Sequence, residues 1–245
     1  MTSHPVDRVD VAANLADVEQ RITTACQAAG RSRDEVHLLP VTKTHPVELV
    51  DQAIAAGHRR FGENRVQELV GKAQHYQEHP PPGGPVEWVV IGHLQSNKAK
   101  DAAQWATELQ SLDSLRLAEQ LQRRLDALDR SLDVLVQVNS SGEHTKSGLA
   151  PDEVLDFARA LAPFDRLRVR GLMTLALPGP DQQAVAACFV RMQHLQRELR
   201  DAQVLGSTWD ELSMGMSGDL DLAIAHGATI VRVGTAIFGE RARLD

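Results

Sequence analysis

The stretch Val36-His37-Leu38-Leu39-Pro40-Val41-Thr42-Lys43 is a short apolar run that ends in a hydroxyl and an ammonium. A first strand feeding an open dinucleotide-binding sheet is followed by a Gly-x-Gly-x-x-Gly turn, and none follows here. Outward from this stretch the same pattern recurs: an apolar or β-branched run ending in small or polar residues, then a segment of helical period. The runs cover residues 36–42, 60–62, 86–92, 108–112, 133–139, 169–174, 211–213 and 229–235. Those at 60–62, 108–112 and 211–213 are weak strands by themselves and are promoted by their place in the alternation. Ala118, Leu121, Leu125 and Leu128 step by three and four, as do Val185, Cys188, Met192, Leu195 and Leu199, so each helix has one apolar stripe. An extra helix over about residues 7–30 precedes the first strand: Val11, Leu15, Val18 and Ile22 share a face, and Gly30 is placed to stop it. Nearly continuous apolar strands alternating with helices describe a parallel sheet covered by helices, and eight repeats is the number that closes a (β/α)8 TIM barrel. The expected fold is therefore α/β, a single barrel domain over residues 1–245 with an extra N-terminal helix.

At 245 residues, 42% hydrophobic and 24% charged, the chain has the proportions of a soluble globular protein with a sizeable core. A net charge of −7 argues against nucleic acid, whose binding needs concentrated positive charge to displace counterions. No apolar run approaches the roughly 18 to 20 residues of a membrane helix, and the start MTSHPVDRVD has no signal-peptide pattern. Cys26 and Cys188 lie in helical segments outside any Cys-x-x-Cys pair, which reads as two buried thiols in a reducing cytoplasm. The ten histidines show neither His-x-His nor His-x-x-Glu-His spacing, so no metal site is expected. Pro80-Pro81-Pro82-Gly83-Gly84-Pro85 reads as a surface loop rather than a domain boundary.

In a barrel of this kind function collects where the strands end. The residues there are Lys43; Glu63 and Asn64; Gly92, His93 and Gln95; Asp113; Asn139; Met173 and Thr174; Ser213; and Arg232, Gly234 and Thr235. Lys43 would project at the lip, where partial desolvation favours a neutral amine able to condense with an aldehyde; the plain alternative is a solvated loop lysine. Ser213-Met214-Gly215-Met216-Ser217-Gly218-Asp219 follows the seventh strand, with Ser217 or Asp219 available as a helix N-cap, and Gly234-Thr235 follows the eighth. Small residues and hydroxyls in these two loops suit a phosphate, although such residues also simply make turns. Arg232 would point inward with Gly234, needing either a carboxylate such as Glu63 or a ring nitrogen or phosphate of a ligand. An amine, a phosphate cradle and an inward arginine suggest a phosphorylated aldehyde: pyridoxal 5′-phosphate, or the phosphosugar of a Schiff-base aldolase. The polar loop from Asn139 to Gly148 is either a contact for a second anion or a partner, through Lys146, or a lid or solvated loop.

Six ordered blocks carry a resemblance. They are Val41-Thr42-Lys43-Thr44-His45-Pro46, Phe61-Gly62-Glu63-Asn64-Arg65-Val66-Gln67-Glu68 and Ile91-Gly92-His93-Leu94-Gln95-Ser96-Asn97-Lys98. The others are Gly171-Leu172-Met173-Thr174, Leu212-Ser213-Met214-Gly215-Met216-Ser217 and Val231-Arg232-Val233-Gly234-Thr235-Ala236-Ile237-Phe238-Gly239. Together they resemble the signatures of the pyridoxal phosphate homeostasis proteins, from about residue 10 to the end. The resemblance implies the N-terminal barrel of alanine racemase (fold type III of pyridoxal phosphate proteins) without that enzyme's second domain. It implies that Lys43 forms a Schiff base with the cofactor, that Ser213, Gly234 and Thr235 hold the phosphate, that Arg232 faces the pyridine nitrogen, and that Asn64 lies close by. It also implies a carrier and buffer of pyridoxal 5′-phosphate without catalytic residues; cofactor-dependent acceptor enzymes are the expected partners, and the chain is expected to be cytoplasmic and a monomer or weak dimer. Thr42 replaces a serine common before the lysine, and Val89 stands where histidine or another polar residue is frequent; neither departure touches the lysine or the cradle.

The residues bear on the choice between enzyme and carrier. Racemisation needs an acid–base group on each face of the substrate, and Lys43 can serve one. The opposite base of alanine racemase is a tyrosine of the missing domain, whereas the single tyrosine here, Tyr76, lies on a polar helix far from any strand end. A guanidinium such as Arg232 only donates hydrogen bonds, so a pyridine nitrogen facing it stays unprotonated and the ring is a weaker electron sink. The expectation is a non-catalytic carrier; the rivals are a low-activity amino-acid racemase or phosphosugar aldolase, and an interaction module for which the cofactor is a signal.

Overall fold

The computed structural model describes residues 9–143, 147–177, 179 and 181–240. The first helix, α1 (Val11–Ala28), begins at Asp10, whose carboxylate accepts the N–H of Ala13 at 2.9 Å. It ends before Gly30, which takes φ +67°, a conformation that costs glycine nothing. Val11, Leu15, Val18 and Ile22 are buried, as their spacing requires. Then come β1 (His37–Pro40), α2 (Val47–Ala55), β2 (Arg60–Glu63), α3 (Val66–Glu78), β3 (Glu87–Val90), α4 (Ala99–Trp105), β4 (Glu108–Leu112) and α5 (Leu115–Leu128). The second half is β5 (Leu132–Val138), α6 (Val154–Ala160), β6 (Leu167–Thr174), α7 (Gln182–Asp201), β7 (Glu211–Ser213), α8 (Leu220–Ala225), β8 (Ile230–Val233) and α9 (Thr235–Phe238).

The eight strands are parallel and ordered β1-β8-β7-β6-β5-β4-β3-β2. The ring is completed by a parallel bridge between Val41 and Gly62, with the Thr42 N–H donating to the Gly62 carbonyl at 3.0 Å. The expected barrel is thus present, including the three weak strands. β6 starts two residues before the expected run because Arg168 and Arg170 alternate outward there, both bonded to Asp133, while Leu167 and Val169 are buried. On α5, capped by Ser114, the stripe Leu117, Ala118, Leu121 and Leu125 is buried. Leu128 departs from it at 44% exposure, because the helix ends there at the left-handed Asp129 and its last turn lies at the surface. The α7 stripe is buried as expected, and Cys26 and Cys188 are buried free thiols. Residues 80–85 run between α3 and β3 without helix or strand. Among the described residues no helix is long and apolar enough to cross a membrane.

Most of the core lies between the sheet and its helices. A separate small cluster, Leu39, Val89 and Ile230 with Ile91 against it, fills part of the barrel interior, and Val89 belongs to it. Barrel interiors are usually packed with branched apolar side chains. Here Glu108, Gln110, Ser213 and Arg232 are buried as well and joined by hydrogen bonds, of which the one from Ser213 of β7 to Gln110 of β4 links strands that are not neighbours, which only the interior permits.

Candidate functional site

The carboxyl ends of the strands surround a cavity of about 610 Å³. Lys43, Asn64, Arg232, Gly234 and Thr235 line it, so the structure brings together five of the six residues singled out from the sequence. His93 and Asn139 are in its wall too. Lys43 is half-buried and leaves the chain just beyond β1. Gly92 allows the loops after β2 and β3 to touch: a Cβ there would fall 2.1 Å from the Asn64 carbonyl oxygen.

Ser213 is the exception. It is fully buried and absent from the wall; its hydroxyl accepts from Arg232 Nη1 at 2.6 Å and donates to Gln110 Oε1 at 2.7 Å. The loop after β7 reaches the cavity instead through Met216, Ser217 and Gly218. Gly215 turns this loop at φ +93°, where a Cβ would lie 2.5 Å from that of Ala223. Asp219 stands at the N-cap of α8 without a side-chain cap bond; its carboxylate instead accepts the Met216 N–H at 2.6 Å, closing the loop on itself. From outside, Arg21 of α1 donates to the Ser217 carbonyl at 2.6 Å and pairs with Asp221, so the extra helix braces this loop. Asn14 does the same for α9 through the Ile237 carbonyl, 2.8 Å away.

Arg232 is 3% exposed, and besides Ser213 it reaches the Thr174 carbonyl at 2.7 Å. Among the described residues it makes no ion pair, and Glu63, the carboxylate considered for it, pairs with Lys72 of α3. Burial pulls the guanidinium down to about 10, so it is still a cation at neutral pH. Its hydrogen bonds continue down the barrel: Gln110 Nε2 donates to Glu108 Oε1 at 2.7 Å, and the other Glu108 oxygen meets Arg60 at the far end. Every donor along this chain points toward Glu108, whose carboxyl burial pushes up. Gln110 and Glu108 escaped the sequence reading, yet two polar residues at alternate positions of a buried parallel strand are a signal of inward polar contacts.

Two other features were not foreseen. Gln137, 4% exposed and in the wall, donates to the Ser147 carbonyl at 3.2 Å, which leaves its buried Oε1 without a partner. His93 Nδ1 lies 3.4 Å from the carboxylate of Asp113, whose carboxyl burial pushes up against the pull of that imidazole. Tyr76 lies outside the cavity, its hydroxyl donating to Asp51 at 2.7 Å. Of the loop after β5, Asn139 and Ser147 face the cavity, while Lys146 lies outside the described residues.

A half-buried lysine, an inward arginine and two loops of small and hydroxyl residues on one cavity can hold an anion at one end and offer an amine at the other. The family model for the alanine racemase N-terminal domain matches residues 13–242. The pyridoxal phosphate homeostasis protein of Vibrio cholerae is 43% identical over 228 residues, 93% of this chain and 95% of that one. PipY of Synechococcus elongatus PCC7942, solved with PLP bound, superposes at a TM-score of 0.80 with 34% identity, over 94% of this chain and all of that one. An alanine racemase of Clostridium difficile 630 shares the fold alone, with a TM-score of 0.72, 15% identity and 58% of its length covered. By matches that run nearly end to end, the chain belongs to the alanine racemase N-terminal domain family, among the pyridoxal phosphate homeostasis proteins.

Proposed function

We propose that this protein binds pyridoxal 5′-phosphate through Lys43 and holds it as a carrier and buffer of the cofactor. The observation that carries this reading is the convergence of Lys43, Arg232, Gly234 and Thr235 on one cavity of about 610 Å³. That volume lies within the roughly 300–1,000 Å³ usual for small-ligand sites. The orphaned Gln137 Oε1 in its wall calls for a donor from a ligand, and the fit is completed by the small residues of the two loops. The chemistry supplied by the group when bound is that of an aldehyde condensing reversibly with an amine, with loss of one water. Lys43 offers that amine. Ser217, Gly218, Gly234 and Thr235 receive the phosphate, with Ser217 and Gly218 standing where the resemblance had placed Ser213. Arg232 directs its remaining donors at the pyridine nitrogen and, having no lone pair with which to accept a hydrogen bond, favours that atom unprotonated.

Turnover draws no tyrosine from the same wall. The tyrosine that would serve as a second base is held by Asp51 outside the cavity. The protein incubated with pyridoxal 5′-phosphate should turn yellow, and borohydride should fix the label on Lys43; a colourless protein or a label elsewhere overturns the proposal. The alternative, a weak amino-acid racemase, draws on the imidazoles of His45 and His93 in the wall. Loss of the α-deuterium from labelled alanine at a catalytic rate, abolished by Lys43→Ala, would establish it. Acceptance of the cofactor by dependent apoenzymes, mixed with the loaded protein and followed by their activation, tests the partners.

A further inference from the structure

Lys43 stands between two peptide groups, and both are held by side chains of one other segment, β2–α3. On its amino side the Thr42 carbonyl accepts from Lys72 Nζ at 2.7 Å, and the Thr42 hydroxyl donates to Glu63 Oε1 at 2.5 Å. Lys72 also bonds that Glu63 oxygen, and both side chains are buried, at 9% and 0% exposure. On its carboxyl side Thr44 takes φ +65°, and its N–H donates to Glu68 Oε2 at 2.7 Å. A β-branched residue in the left-handed region is a true outlier and persists only where its surroundings impose it. The turn bond from the His45 N–H to the Thr42 carbonyl and the Glu68 carboxylate together hold it here, while the Thr44 hydroxyl bonds back to the Lys43 carbonyl at 2.6 Å. Glu68 and Lys72 are four residues apart on α3, so they share one helix face.

We propose that Glu68, together with the buried Glu63–Lys72 pair, is a clamp that positions Lys43: it fixes the peptides on either side and so the direction in which the lysine leaves the barrel lip. This rests on the reading of Lys43 as the reacting amine. The three residues act through the backbone, so they are positioning residues. The turn over residues 42–45 is closed by the His45 N–H donating to the Thr42 carbonyl at 3.0 Å, with Thr44 at its left-handed position, and Glu68 fastens that turn to α3. A reacting group displaced by about an ångström loses orders of magnitude in rate, so loosening one jaw should slow capture by roughly tenfold.

The test follows colour development on adding pyridoxal 5′-phosphate to the full chain, with unfolding midpoints measured beside it. Glu68→Ala should colour roughly tenfold more slowly. Glu68→Gln, which keeps an acceptor oxygen, should stay close to wild type, and the neutral double variant Glu63→Gln/Lys72→Met should be slowed like Glu68→Ala. A merely structural role would lower the midpoint and leave the rate per folded molecule unchanged. If Glu68→Ala does not fold, the double variant decides. Acylation of Lys43 by acetic anhydride in the cofactor-free chain, relative to the exposed Lys100, provides a second reading by mass spectrometry. A wild type that never colours defeats the cofactor reading, and the clamp is then judged by acylation: a changed Lys43 rate in Glu68→Ala supports it and an unchanged one overturns it. Where wild type does colour, an unchanged rate in a folded Glu68→Ala overturns it.

Discussion

Ser213, at the end of β7, and Ser217, in the loop after it, should separate cleanly on mutation. In Ser213→Ala the lost hydroxyl leaves Arg232 Nη1 without its acceptor at 2.6 Å and Gln110 Oε1 without its donor at 2.7 Å. Both partners are buried, and each buried unsatisfied group costs about 1–3 kcal/mol, so the cofactor-free protein should lose roughly 2–6 kcal/mol. For a chain of this size that lowers the melting temperature by roughly 4–24 °C. Ser217 is half-buried in the cavity wall, and Ser217→Ala should change stability by less than about 0.5 kcal/mol. If its hydroxyl meets the phosphate, the same change costs about 1.5–3 kcal/mol of binding, roughly ten- to a hundredfold in affinity. Urea unfolding followed by tryptophan fluorescence, with the fully buried Trp209 among the reporters, reads the first effect. Absorbance titration with pyridoxal 5′-phosphate reads the second. A Ser213→Ala protein with the wild-type midpoint and a collapsed affinity would refute the reasoning, because its hydroxyl would then face the ligand and not the barrel interior.

Burial, with the charge of Glu108 adding to it, pushes the Glu211 carboxyl up to about 7. The folded state therefore holds this proton more tightly than the unfolded chain, so its stabilisation is complete below the ordinary carboxylate range and is lost as pH rises through about 7. Glu211→Gln should make the fall of the unfolding midpoint between pH 5 and 8 shallower, and an equally steep fall would show that another group is responsible. Gly215→Val forces a side chain onto φ +93° and against Ala223, and should destabilise by about 2–4 kcal/mol and weaken cofactor retention. Gly218→Ala, with nothing within 4 Å of the added carbon, should melt like wild type; similar losses in both would mean the loop is set by something other than the Gly215 turn. Tyr76→Phe removes a hydroxyl bonded to Asp51 and should cost about 1–2 kcal/mol while leaving the yellow colour intact. Loss of colour would place Tyr76 in the site.

The alternation of strand and helix was legible because it is a property of neighbouring residues. A period of two or of three to four shows in any short window, and a weak run such as Glu211–Ser213 gains weight from its place in the series. Lys43, Asn64, Gly234 and Thr235 were legible for the same reason, since each directly follows a strand and a barrel carries such residues to one mouth. Which side chains meet across the interior was not. Ser213 stands behind the wall because β7 presents it to Gln110 of β4, and the partner of Arg232 is that serine rather than Glu63, which Lys72 takes. Those pairings depend on how far each strand slides against the next around a closed ring, and no local pattern encodes that offset. Thr44 carries no mark of its left-handed backbone either: no glycine or asparagine announces the turn, and the carboxylate that holds its N–H lies 24 residues further along the chain. Periodicity along the chain chose the barrel and its mouth; contacts between residues far apart in the chain, set by strand register and closure, chose which of the mouth's residues face the cavity and what holds them there.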